Sequence, residues 1–209
     1  MRFSKQQINA LRERVRASMS EFRFVHTAEV EKMATRISEL YAPDKTDIVR
    51  VAALLHDITK EKGLDEQIEM LERGGEKTDE LDRMSYKTLH ARTAVYTVRM
   101  EYPEFAECEV LSAIRYHTTG RADMSLTECI VFLADYIDMS RKFEDCVYLR
   151  NYFWDAEPEN MSQGERLEHL WRTIVLAFDL TLRALSEEGS PISVESVEAR
   201  NSFIVKLNK

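Results

Sequence analysis

The chain has 209 residues, 44 % of them hydrophobic and 32 % charged, with a formal net charge of -8. This size and balance suit one globular domain with a substantial core rather than a disordered segment, and the negative total argues against a general nucleic-acid-binding surface. No apolar run approaches the roughly 20 residues that cross a bilayer, the opening Met1-Arg2-Phe3-Ser4-Lys5 has no apolar leader character, and the odd set Cys108, Cys129 and Cys146 points to a reducing cytoplasm rather than to disulfides or thiolate zinc.

Only 6 Gly and 4 Pro interrupt the chain, and helical periodicity runs almost throughout. Ile8, Leu11 and Val15 mark a first helix, with Phe22 and Phe24 leading into the next. Val25, Val30, Met33, Ile37 and Leu40 mark a second, which ends near Tyr41-Ala42-Pro43 because proline disfavours helix in the residue before it. Asp44 and Asp47 are expected to cap a third helix carrying Val51-Ala52-Ala53-Leu54-Leu55-His56-Asp57. Residues 61–88 are polar, contain Gly63, Gly74 and Gly75, and read as short helices joined by loops. Further helices are expected over 89–100, 104–116, 126–140, 164–185 and 194–205, with a loop between Pro158 and Gly164. No alternating strand pattern or internal repeat is visible. The expectation is a single all-α domain over 1–209, with its core over about 22–150 and the helices of 164–207 packed on it.

His56 and Asp57 end an apolar stretch. Burying an imidazole beside a carboxylate is costly unless something compensates them, and a cation compensates most strongly. A hydrogen-bonded core histidine followed by a capping aspartate is the plain alternative. The remaining histidines weigh against it. His26, His56, His90 and His117 recur about every 30 residues near the ends of expected helices, a spacing at which antiparallel helices bring side chains to one end of a bundle. Asp135 interrupts the apolar Cys129-Ile130-Val131-Phe132-Leu133-Ala134 in the same way. Imidazoles with carboxylates suit iron, manganese or magnesium better than thiolate chemistry does. His169, on a mixed polar helix, reads as a surface or packing residue.

Cations stand near these groups in sequence. Lys60 follows His56 by four residues and shares its face if the helix continues. Arg23 precedes His26 by three, Arg141 follows Asp135 by six, and His117-Thr118-Thr119-Gly120-Arg121 offers hydroxyls, a glycine and a guanidinium suited to phosphate. Each alone reads more readily as a solvated surface charge, but four near proposed ligands are less easily dismissed.

The order His26, His56-Asp57, His90, His117, Asp135 resembles the HD-domain metal-dependent phosphohydrolases. Arg23-Phe24-Val25-His26, Ala52 to Lys60, Arg115-Tyr116-His117-Thr118-Thr119-Gly120-Arg121 and Ala134-Asp135-Tyr136-Ile137-Asp138 look more narrowly like the bacterial YqeK family. Those enzymes split diadenosine tetraphosphate symmetrically into two ADP. The resemblance implies a metal set of His26, His56, Asp57 and Asp135, with iron the expected ion, and His90 and His117 either holding a second ion or contacting phosphates. It implies substrate-facing roles for Arg23, Lys60, Thr118 and Arg141, with Arg121 added by proximity. Asp57, as a bridge, and Lys60 would act at the reacting phosphate. Two departures stand out: Ala91-Arg92 where glycine and proline are expected, and Met139-Ser140 in place of a Pro-Gly turn. Residues 148–164 match no pattern of the family.

Hydrolysis of another nucleotide, such as a nucleoside phosphate or guanosine alarmone, stays open within this class. So do a nucleotide sensor without turnover and a purely structural helical module. The expected partner is a dinucleoside polyphosphate or ADP-like nucleotide; a homodimer is an open assembly.

Overall fold

The computed structural model describes residues 2–209; Met1, first in the N-terminal stretch read above, lies outside them. The described residues form eleven α-helices and no strand: α1 (Lys5–Ala17), α2 (Glu21–Tyr41), α3 (Thr46–Leu55), α4 (Leu64–Arg73), α5 (Glu80–Met84), α6 (Tyr86–Glu101), α7 (Cys108–Tyr116), α8 (Leu126–Ile137), α9 (Glu144–Trp154), α10 (Gln163–Glu187) and α11 (Val194–Leu207). The all-α expectation is met. Among the described residues, no helix is long and apolar enough to cross a membrane.

Local chemistry sets many of the helix starts. Ser4, Ser125 and Ser162 each accept from the backbone three residues on, while Gln7, Glu128 and Glu165 reach back to the cap. These reciprocal bonds satisfy amides that a helix leaves without internal partners. Ile8, Leu11 and Val15 are the buried stripe of α1. In α3 and α8 the buried residues go round the helix, including Val49, Val51, Ala52, Leu54 and Leu55 in one and Ile130, Val131, Phe132 and Leu133 in the other. A helix apolar on all sides must be surrounded, and α3 does contact α1, α2, α7 and α8. Glu31 locks this end of the bundle. It is buried on α2 and accepts from Arg12 Nε of α1 at 2.8 Å and from Arg50 Nε of α3 at 3.0 Å.

Several boundaries differ from the sequence reading. Asp47 does not cap α3. It lies in the first turn of that helix, and its carboxylate accepts from the backbone of Arg2 and, at 2.7 Å, of Phe3. The helix expected from residue 104 starts at Cys108, after a 3-10 turn over Pro103–Phe105, and the one expected to reach residue 140 stops at Ile137. Helix α9 was not expected at all. Tyr148 and Tyr152 face outward while Cys146, Leu149, Arg150 and Phe153 are buried, so its apolar residues trace no clean stripe.

Candidate metal centre

The centre begins where α3 stops. The helix does not run on to Lys60; tight turns follow instead, with Ile58 N donating to Leu55 O and Lys60 N to Asp57 O. Each side chain of this short segment then goes to a different neighbour. His56 Nδ1 donates back to Ala53 O at 2.6 Å, and Asp57 accepts from Arg23 Nη1 of α2 at 2.9 Å. Thr59 donates to His90 O of α6, Lys60 Nζ lies 3.2 Å from His90 Nδ1, and Glu61 accepts from Ser20 N, the cap of α2. Lys60 therefore reaches the centre through a turn rather than by sharing a helix face with His56.

His117 repeats the arrangement of His56. It caps the end of α7, and its Nδ1 donates to Ile114 O at 2.7 Å. A bond at Nδ1 fixes the tautomer and leaves the Nε2 lone pair free for a ligand. Both Nε2 atoms face Asp57, at 3.6 Å to Oδ2 for His56 and 3.7 Å to Oδ1 for His117. His26 Nε2 adds contacts of 3.1 Å to Asp135 Oδ1 and 3.5 Å to Asp57 Oδ2. His90 Nε2 lies 3.1 Å from Asp57 Oδ1 and 3.0 Å from His117 Nε2. Asp57 thus divides the cluster, with one oxygen toward His26 and His56 and the other toward His90 and His117.

The donor chemistry fits a divalent cation. His56 Nε2 is buried without a hydrogen-bond partner, which is costly for a polar atom unless a ligand completes it, and His26 Nε2 meets the carboxylates of Asp135 and Asp57. His26, His56 and Asp57 bring one ligand atom each within 4.8 Å of one another; so do Asp57, His90 and His117, and so do His56, His117 and Asp135. Imidazole nitrogen with carboxylate oxygen, and no cysteine, is a borderline-to-hard set.

Electrostatics separates the members. Burial resists ionisation of Asp57, but the facing histidines hold its carboxyl well below the usual range. Asp135 is held low as well, against burial, chiefly by Arg141, which donates to it through Nη2 at 2.5 Å. Burial also opposes a proton on His26, yet Asp135 and Asp138 push its pKa up to about 9. Burial takes His90 down to about 4 against the pull of Asp57, and it lowers Lys60 against Asp57 and Asp135.

The structure therefore gathers His26, His56, Asp57, His90, His117 and Asp135, with Arg23, Lys60 and Arg141 around them. The string after His117 divides. Thr118 keeps a buried hydroxyl without a partner. Thr119 donates to Glu195 of α11 at 2.9 Å, and Gly120 has φ +63° with a Cβ position 2.5 Å from Phe178 of α10. Arg121, expected beside phosphate, instead gives its Nε and Nη2 to Glu128 at 2.8 and 3.1 Å. His169 is a packing residue, stacked on Phe153 and bonded to its carbonyl. In place of the expected Gly-Pro after His90, α6 runs on unbroken with Ala91 buried and Arg92 paired to Glu76 and Asp82.

Asp138, Ser140 and Glu61 were not among the expected site residues. Asp138 Oδ2 lies 3.4 Å and Ser140 Oγ 3.2 Å from His26 Nδ1, the ring nitrogen turned away from the cluster. A second acid three residues after Asp135 at the end of an apolar helix was a usable signal for Asp138. Ser140 and Glu61 carry none.

Residues 23–140 match the HD domain family. The chain is similar to a symmetrical bis(5'-nucleosyl)-tetraphosphatase of Halalkalibacterium halodurans, 39 % identical over 131 residues, 62 % of this chain and 67 % of that protein. Its counterpart in Bacillus subtilis is 33 % identical over 129 residues, 62 % of this chain and 68 % of that protein. A solved structure from Clostridium acetobutylicum, of an HD superfamily hydrolase described as involved in NAD metabolism, superposes with a TM-score of 0.80 at 27 % identity, over 98 % of both chains.

Proposed function

This chain belongs to the HD-domain superfamily of hydrolases, and from that premise we propose that it cleaves diadenosine tetraphosphate symmetrically into two ADP. The observation that carries this reading is Asp57, shared between two pairs of histidines and ringed by Arg23, Lys60 and Arg141. The curated relatives from Halalkalibacterium halodurans and Bacillus subtilis bear the name of that activity.

His26, His56, Asp57 and Asp135 would hold one cation, with iron our choice and manganese a substitute, and Asp57 with His90 and His117 would hold a second. Such an ion supplies Lewis acidity toward a phosphoryl oxygen and water acidic enough to attack phosphorus near neutral pH. The chain's own work is to place the polyphosphate. Arg23 and Arg141 already reach the central carboxylates, so both guanidiniums stand at the centre where phosphoryl oxygens would arrive. Lys60 offers a compact charge beside His90 to the oxygens that become more negative as the bridge breaks. Thr118 offers its spare hydroxyl. Arg121, occupied by Glu128, is left out of this set.

The test is product identity. Metal-loaded protein given diadenosine tetraphosphate is expected to yield only ADP, and Asp57→Asn to lose turnover by at least about 100-fold. ATP plus AMP would refute symmetrical cleavage. Turnover of nucleoside phosphates or a guanosine alarmone in preference would move the substrate elsewhere within the superfamily, and binding without any product would make the protein a sensor.

A further inference from the structure

We propose that Arg150, on the helix α9 that the sequence did not announce, is a positioning residue for the metal centre, acting through the turn formed by Asp138, Met139, Ser140 and Arg141. The proposal rests on the reading that this centre binds a cation and a polyphosphate.

Arg150 is buried, and all of its hydrogen bonds go to backbone carbonyls. Its Nε donates to Ile137 O at 2.8 Å, and its Nη2 donates to Asp138 O at 2.5 Å and to Arg141 O at 2.8 Å. Burying a guanidinium is expensive, and charge-assisted bonds to well-placed acceptors offset that cost. The acceptors here are the last carbonyl of α8, which lies at the negative end of a helix, and two carbonyls of the turn that follows. One planar fork therefore ties the entry and the exit of the turn together.

Apart from Arg150, the turn is defined by local bonds, Ser140 N donating to Asp138 Oδ1 at 2.8 Å and Arg141 Nε to Asp135 O at 2.5 Å. It contains neither glycine nor proline, and its own backbone bond, Arg141 N to Asp138 O, is long at 3.4 Å. Yet its side chains are the ones that orient the centre. Asp138 and Ser140 face His26 Nδ1, and Arg141 grips Asp135 through Nη2. Arg150 holds the carbonyl side of the turn while the side chains hold the ligands. Slack on the carbonyl side passes to His26 and Arg141 together, because both depend on the same four residues. Lysine replaces this function only in part, since a single ammonium on a flexible stem does not match three carbonyls as a fork does.

The experiment compares native protein, Arg150→Ala and Arg150→Lys by calorimetric titration with Mn(II), by steady-state kinetics with diadenosine tetraphosphate, and by far-UV circular dichroism. We expect Arg150→Ala to keep its helical signal, to bind Mn(II) about tenfold more weakly and to show KM raised about tenfold, with Arg150→Lys intermediate. Free guanidinium at low millimolar concentration should restore Mn(II) affinity in Arg150→Ala and leave native protein unchanged. Native Mn(II) affinity and KM in folded Arg150→Ala, with only a lower melting temperature, would overturn the proposal. If the alanine variant does not fold, Arg150→Lys carries the test, and native values there overturn it equally. Should the protein not turn over the dinucleotide at all, the Mn(II) titration still decides the role of Arg150 by itself.

Discussion

His56 and His117 are held by the same device at the ends of two different helices: each donates Nδ1 to the carbonyl three residues back, and their rings meet edge to face with centroids 4.9 Å apart. Each α-helix end has carbonyls without internal partners, so the residue that closes the helix also has its imidazole aimed for it. What α3 and α7 have in common is thus the preparation of an Nε2 lone pair at a buried point beside Asp57.

Removing one of these imidazoles should empty its half of the centre without unfolding the bundle. For His56→Ala we expect the metal content of anaerobically purified protein to fall sharply, with far-UV dichroism close to native. Plasma mass spectrometry of native and variant protein decides this. Native metal stoichiometry in the variant would remove His56 from the ligand set.

The proton on His26 competes directly with a cation. With its pKa pushed up to about 9, His26 is protonated at neutral pH in the metal-free protein, and loading a metal must release that proton. Affinity should therefore rise with pH, by up to about tenfold per unit, and flatten above pH 9. Titrations with Mn(II) in buffers of different ionisation enthalpy would count the proton. A slope that levels off near pH 6.5 would mean that Asp135 and Asp138 do not raise His26.

Arg23 and Arg121 should part company in kinetics. Arg23→Ala removes a guanidinium at the centre and is expected to raise KM for the dinucleotide about tenfold. Arg121→Ala should leave KM alone and lower the melting temperature, because it removes the cation paired with the buried carboxylate of Glu128 and leaves it only the donors of Ser112 and Ser125. A raised KM in Arg121→Ala would return that residue to the substrate.

Gly120 holds the string after His117 against the C-terminal helices. A methyl there meets Phe178 at 2.5 Å in a backbone region that disfavours side chains. Gly120→Ala should cost about 1–3 kcal/mol in denaturant unfolding. An unchanged unfolding midpoint would show that α10 can yield.

The Glu31 lock predicts stability without function. Glu31→Gln leaves the shape but removes the charge shared by Arg12 and Arg50. It should destabilise by about 2 kcal/mol while Mn(II) affinity remains native. Weakened Mn(II) binding would show that the lock also positions the centre.

Much of this molecule was legible as sequence because its information is local. The stripe Ile8, Leu11, Val15, the serine caps and the apolar lengths of α3 and α8 are properties of a few neighbouring residues. So is the anomaly of an acid in an apolar run, which marked His56-Asp57 and Asp135. Helix α9 lacked that kind of signal, since its buried arginine and exposed tyrosines make sense only against the turn and helices it touches.

The sequence by itself determined which side chains are the candidates for the chemistry, since burying an imidazole or a carboxylate in a helix is informative wherever it occurs. The tertiary structure decided what each neighbour does. Lys60 arrived by a turn, Arg121 went to Glu128, Asp47 went to the chain's first residues, and Arg150 went to three carbonyls. The reason is physical: a charge on a long flexible stem goes to whatever acceptor lies within reach, and the acceptors here come from segments tens of residues away. Spacing along the chain records which groups are available; only the fold sets which partner each one meets.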